Sequence, residues 1–231
     1  MEIFLIVLQY VGAVSFAISA AIYAIHKKTD IIGALVFSLL TCFGGGFIRD
    51  MVIGRIPPNI LVNKEYYYLA AVCIITCIVC YHLGFVESIG NFINKHQHSF
   101  IIEFTDALGL ASFVVLGVES AIEYGKTSFV LLVFAGCITG AGGGILRDIC
   151  AAEIPGVFRK HIYLIPVIIA SCFFVLTYDK MPGVLSVILS IAIIITIRML
   201  AFKFKWNLPI PKVKEEPKSK EAEREKEKIL K

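Results

Sequence analysis

The stretch "TCFGGGFIRDMVIGRIPP", Thr41 to Pro58, sets three consecutive glycines beside an arginine–aspartate pair in an otherwise apolar part of the chain. It returns as "TGAGGGILRDICAAEIPG", Thr139 to Gly156. Thr41 matches Thr139, Gly44, Gly45 and Gly46 match Gly142, Gly143 and Gly144, Arg49 and Asp50 match Arg147 and Asp148, and Ile56-Pro57 matches Ile154-Pro155, all at an offset of 98 residues. A second echo, "GAVSF" from Gly12 and "GLASF" from Gly109, lies at an offset of 97. The chain is a duplicated unit, and the segments around the motif decide how its copies relate.

Those segments are hydrophobic. Of the 231 residues 58% are hydrophobic, against about 45–50% in soluble domains, and the mean hydropathy is +0.81. Because about 20 helical residues cross the hydrocarbon core of a bilayer, the long runs free of charge read as membrane spans. The apolar stretch at the N-terminus includes Glu2 and lacks a basic flank. It is too long for the core of a signal peptide and reads as a first span. Seven spans follow from the breaks: Ile3 to Ile25, Ile31 to Ile53, Tyr66 to Leu83, Phe100 to Ile122, Ser128 to Ala151, Ile162 to Tyr178 and Val184 to Phe202. "IPP" and "IPG" end the second and fifth, since proline cannot continue a helix. Tyr66, Tyr67, Tyr68 and Trp206 sit where rings anchor at the headgroups.

The expected architecture is an all-α integral membrane protein of two three-helix repeats, 1–96 and 97–180, a seventh helix at 181–205 and a charged tail at 206–231. Three is odd, so the second repeat enters the membrane inverted, an architecture of transporters and channels. From Lys203 onward there are ten Lys/Arg and six Glu with no apolar period, so the tail reads as disordered. Its basic residues place the C-terminus in the cytoplasm by the positive-inside rule and, across seven spans, the N-terminus outside. "HKK" at 26–28 and "FRKH" at 158–161 then fall inside, and Arg55 and Lys64 outside.

Glycine costs about 1 kcal/mol against alanine inside a helix. Three together invite a bend or break, which a membrane tolerates only against protein or water. The second and fifth helices are therefore expected to bend around an internal pathway at Gly44–Gly46 and Gly142–Gly144. The alternative is close helix packing through small residues. Thr41, Thr139, Ser15 and Ser112 could offer hydroxyls to the same lumen or back-bond to their own helices. Arg49 lies eighteen residues after Ile31, roughly 27 Å along a helix. It therefore sits near one face of the membrane and Arg147, inverted, near the other. The two Arg-Asp pairs are expected not to touch each other, and to be pathway, gating or snorkelling charges. Neighbouring Arg and Asp point to different sides of a helix, so each is expected to find a different partner.

"GGGFIRDMVIGRIPP" and "GGGILRDICAAEIP", in two three-helix units plus a seventh helix, resemble the bacterial branch of the trimeric intracellular cation channel family, also labelled the glycine transporter family. The resemblance covers about residues 4–205. It implies a homotrimer with one potassium-permeable pathway per protomer, around glycine-kinked second and fifth helices. Partners are then membrane lipid and a permeant monovalent cation, with no nucleic acid, cofactor or metal, and the location is a bacterial inner membrane. The phosphoinositide binding of eukaryotic relatives is not carried over, because no matching basic site is present.

A passive cation channel is the leading reading, since carbonyls at a helix bend can replace an ion's water. The alternative is a secondary transporter of a small zwitterion such as glycine, held between broken-helix ends. Catalysis finds no support. The five histidines, His26, His82, His96, His98 and His161, fall at span ends or in loops. The seven cysteines, Cys42, Cys73, Cys77, Cys80, Cys137, Cys150 and Cys172, mostly lie in apolar runs, where cysteine acts as a small hydrophobe.

Overall fold

A computed structural model describes residues 1–85, 97–159 and 162–206 of the chain. The expectations for the tail beyond Trp206, for His96 and for part of the "FRKH" segment fall outside the described residues. The described part is helical: α1 (Glu2–His26), α2 (Ile31–Ile53), the short α3 (Asn59–Val62), α4 (Glu65–Phe85), α5 (Gln97–Glu123), α6 (Phe129–Cys150), the short α7 (Gly156–Arg159), α8 (Leu164–Thr177) and α9 (Gly183–Phe204).

Local chemistry marks the boundaries. Asp30 caps α2, its Oδ1 accepting the Gly33 N–H at 2.8 Å, which satisfies one of the free donors of the first turn. At the other end Gly54 adopts φ +81°. The Arg55 N–H then reaches back to the Asp50 carbonyl at 2.8 Å, the left-handed stop that glycine takes without strain. Pro57 and Pro58 follow and exclude another turn.

Among the described residues six helices are long and apolar enough to cross a membrane. The expected sixth span is shorter than the sequence suggested: α8 has 14 residues, about 21 Å of helix against a core of about 30 Å. The helix starts only after its N-cap Tyr163 and gives way to a turn after Thr177, so the apolar run exceeds the helix it forms.

The centre of the fold is the contact between α2 and α6. A Cβ on Gly45 would lie 2.2 Å from the Thr139 carbonyl oxygen, and one on Gly143 would lie 2.1 Å from that of Thr41. At both points the two backbones meet with no room for a side chain. The pairing is reciprocal and reversed in order: the later residue of α2 meets the earlier residue of α6, and the converse. The equivalent helices therefore run in opposite directions where they touch. Both helices continue without interruption through their glycines. Neither helix is broken there, and close packing accounts for Gly45 and Gly143. Dispersion attraction between the two closely approaching backbones offsets the helix-propensity cost of glycine.

The α1–α5 pair repeats this logic. Phe16 and Phe113 stack with centroids 5.3 Å apart. A Cβ on Gly109 would meet the Phe16 ring at 2.4 Å, and one on Gly12 the Phe113 ring at 3.2 Å. Each glycine is the seat for the other repeat's phenylalanine. Around these two pairs gather Ala13, Ala17, Cys42, Leu110, Val114 and Ala141, all buried.

Candidate functional site

The Arg-Asp motif is a single unit in each copy. Arg49 donates from Nε at 2.9 Å and from Nη2 at 2.7 Å to Asp50 Oδ1. Arg147 does the same to Asp148 Oδ1, at 3.0 and 2.9 Å. The expectation that adjacent Arg and Asp would take different partners is overturned, because the long arginine side chain curls back across the helix to its neighbour. The second carboxylate oxygen has another task. Asp50 Oδ2 accepts the Asn59 N–H at 2.7 Å, and Asp148 Oδ2 accepts the Gly156 N–H at 2.8 Å. Each aspartate thus ties the end of its long helix to the start of the short helix after the proline. The last glycine of each triplet lies beside the guanidinium three residues on, without crowding it. A Cβ at Gly46 would have only Arg49 Nη2, at 3.9 Å, within reach, and at Gly144 it would meet Arg147 Nη2 and the Tyr163 hydroxyl at the same distance.

Each unit lines a polar cavity. The first, about 350 Å³, takes Cys42, Phe43, Gly46, Arg49 and Asp50 from α2 and Thr139 from α6. It also holds four further acids, Glu2, Glu65, Glu119 and Glu123. The second, about 410 Å³, takes Gly144, Arg147 and Asp148 from α6, with the acids Glu103, Asp106 and Glu153 and the bases Lys27 and Arg198. Along α6, Thr139 opens to the first cavity and Gly144 to the second, and the tight contact of Gly143 lies between them. In formal charge the first lining carries five acids against one base and the second four against three. The first favours a cation over an anion, and low-dielectric walls strengthen that preference; in the second the charges are paired with one another and nearly balance.

The four predicted hydroxyls all donate to their own helix four residues back: Ser15 to Val11, Thr41 to Phe37, Ser112 to Leu108 and Thr139 to Ala135, at 2.6–2.8 Å. Of these, Thr139 also lines a cavity. Of the glycines, Gly46 and Gly144 face the cavities, Gly45 and Gly143 form the crossing, a Cβ at Gly44 would strike Leu146 at 2.6 Å, and one at Gly142 would come within 3.1 Å of the Gly45 Cα.

Sequence reading missed two clusters. Arg198 on α9 donates from Nη2 to Glu103 at 2.8 Å and sits 3.1 Å from Asp106, with its guanidinium 4.0 Å from the centre of the Tyr163 ring. Tyr163 donates to Asp106 at 3.1 Å. The signal was an arginine inside an apolar run, "IIITIRML", which a membrane helix keeps only for a partner. Arg55, read as a loop charge, donates to the Ser120 hydroxyl and carbonyl at 3.1 and 3.2 Å and lies 4.5 Å from the Tyr124 ring centre. At the rim of the second cavity Lys27 pairs with Glu153. That hydrogen bond raises the Lys27 ammonium above its ordinary range.

A family model described as glycine transporter matches residues 6–83 and 103–179. A UPF0126 membrane protein of Vibrio cholerae is 37% identical over 162 residues, 70% of this chain and 63% of the relative; the chain thus spans a little under two thirds of that protein's length. The inner membrane protein YadS of Escherichia coli K12 is 34% identical over 68% of this chain and 70% of its own. A structure solved in work on conductance through TRIC cation channels is 31% identical with a TM-score of 0.76, over 91% of this chain and 98% of that one. A prokaryotic TRIC channel crystallised in 0.5 M KCl is 27% identical with a TM-score of 0.78, over 90% and 100%. The trimeric intracellular cation channel orthologue from Rhodobacter sphaeroides is 26% identical with a TM-score of 0.76, over 87% and 98%. With two motif copies, an all-helical fold and six membrane-length helices, the chain is an integral membrane protein that belongs to the bacterial branch of the trimeric intracellular cation channel family, whose sequence model carries the description glycine transporter.

Proposed function

We propose that the protein is a passive channel for monovalent cations, potassium among them, with one pathway in each protomer. The observation that carries this reading is the pair of acid-rich cavities on either side of the α2–α6 crossing. An ion would enter either cavity and pass the crossing at its glycines, where a bend of α2 or α6 would part the backbones and turn carbonyls toward the ion. The Arg-Asp units hold the turns that frame each mouth, and in the first cavity their internal pairing leaves four glutamates to attract cations. Solved relatives described as TRIC cation channels support this reading.

The test is reconstitution of the purified protein in planar bilayers under asymmetric KCl. The expected reversal potential lies near the potassium equilibrium potential. A value near that of chloride overturns the reading.

The family description favours a second reading, uptake of glycine. Substrate-binding transporters of that kind present broken-helix ends to a carboxylate, and α2 and α6 are unbroken. Glycine-saturable flux into liposomes, driven by a second ion, would favour transport over conduction.

The architecture proposed with this function is two inverted repeats, three copies per assembly, the N-terminus outside and the C-terminus in the cytoplasm of a bacterial inner membrane. Support for inversion comes from the antiparallel meeting of α2 and α6, and for the trimer from the relatives described as trimeric. In an experimental structure the three-helix parts of 4–96 and 101–200 superpose after rotation by about 180° about an axis in the membrane plane. Repeats in the same orientation would end this part of the proposal.

A further inference from the structure

Glu119 is an acid that the duplicated architecture does not require. Its counterpart at the offset of 97 is Ile22, also buried and apolar, so the fold packs that position without a carboxylate. Glu119 is 8% exposed and lines the first cavity. Its Oε1 accepts a hydrogen bond from the Tyr178 hydroxyl at 3.3 Å. Its Oε2 is shut off from solvent and has no hydrogen-bond partner. The bases nearby are committed: Arg49 to Asp50, and Arg55 to Ser120 and the Tyr124 ring.

A buried carboxylate with one oxygen unanswered is costly unless a counter-charge or a proton joins it. Among the described residues no group of three or more His, Cys, Asp or Glu is placed to hold a metal ion, which argues against a chelated divalent cation. One carboxylate oxygen in a polar cavity suits a partly hydrated monovalent cation, held weakly enough to leave again. Building on the channel reading above, we propose that the Glu119 carboxylate is a binding site for a monovalent cation of the potassium class in the first cavity, reached when a turn of the side chain brings the unpartnered Oε2 out to the ion, and that Glu119 sets the preference for cations over anions there.

The experiment uses the full chain purified in detergent. Thermal midpoints are measured as KCl replaces N-methyl-D-glucamine chloride at constant ionic strength. At roughly ten times the dissociation constant the parent gains about 3–6 °C specific to potassium, and Glu119→Gln gains none. In bilayers Glu119→Gln passes about threefold less current or lower at dilute KCl, approaches the parent in concentrated KCl, and shifts its reversal potential toward that of chloride, because a buried charge concentrates counter-ions most when salt is scarce. A potassium-specific rise that survives in Glu119→Gln, or is missing from the parent, overturns the site. A parent that gains the rise but carries no current keeps the site and removes the channel reading. A parent that conducts, with Glu119→Gln identical to it in every measurement, does the reverse. Should Glu119→Gln not fold, Glu119→Asp, which keeps the charge but withdraws it, shows a diminished rise; an undiminished one counts against the site.

Discussion

Gly45→Leu and Gly143→Leu are each expected to abolish conduction, while the chain still enters the membrane. The reason is steric and local. The first side-chain carbon at Gly45 would sit 2.2 Å from the Thr139 carbonyl oxygen, and at Gly143 2.1 Å from that of Thr41. Nothing flexible can yield there, since both obstacles are backbone. The helices must separate, and the crossing between the cavities loses its shape. Insertion survives because it depends on helix hydrophobicity, which leucine increases. Gly46→Ala and Gly144→Ala provide the contrast: their nearest contacts, an arginine nitrogen and at Gly144 also the Tyr163 hydroxyl, lie at 3.9 Å, so these variants keep the parent's thermal midpoint apart from any gain in helix propensity. Bilayer currents at matched protein, with membrane-fraction blots to confirm insertion, read the outcome. Parent-like currents from both leucine variants would place the pathway away from the α2–α6 crossing.

The second large effect belongs to the aspartates. Asp148→Ala leaves the buried Arg147 guanidinium without its counter-charge and the Gly156 N–H without its acceptor, and it destabilises the protein by about 3–5 kcal/mol. Asp50→Ala does the same to Arg49 and Asn59. The double variant Arg147→Ala with Asp148→Ala is less damaging than the sum of its parts, because no lone charge remains. Across the two units Arg49→Ala and Arg147→Ala add within about 0.5 kcal/mol, as distant sites without shared partners do. Denaturation midpoints of the single and double variants measure both statements. If Arg49→Asp combined with Asp148→Arg restores what either change alone destroys, the units are coupled to each other, and their internal pairing is not what holds them.

Much of this was legible in the sequence because it depends on period and composition. Runs of apolar residues with charged or proline-bearing breaks placed α2 at Ile31–Ile53 without error and the other long helices within a few residues. The duplicated glycine and Arg-Asp motifs marked the site and suggested the family. α8 was placed within two residues at each end, yet it is shorter than the run that marked it, because an apolar run records which residues tolerate lipid and not where helical hydrogen bonds stop. Partners were also out of reach. Arg49 and Asp50 are neighbours whose side chains leave the helix in different directions, and only the curl of the arginine brings them together. Arg198 meets Glu103 and Asp106 across 95 and 92 positions of sequence, a distance that no local pattern encodes.

The sequence by itself determined that the chain lives in a membrane, that it is built twice, and that each copy carries three glycines shortly before an adjacent arginine and aspartate. These follow from the cost of burying charge in hydrocarbon and the rarity of such a motif recurring by chance. Only the tertiary structure decided how the six glycines divide their work. Gly45 and Gly143 let two backbones touch, Gly46 and Gly144 lie beside a guanidinium at a cavity wall where an alanine would also fit, and Gly44 and Gly142 sit against the opposing helix. Every glycine looks alike in sequence because it has no side chain to declare a direction; the direction comes from which face of the helix the neighbouring helix covers.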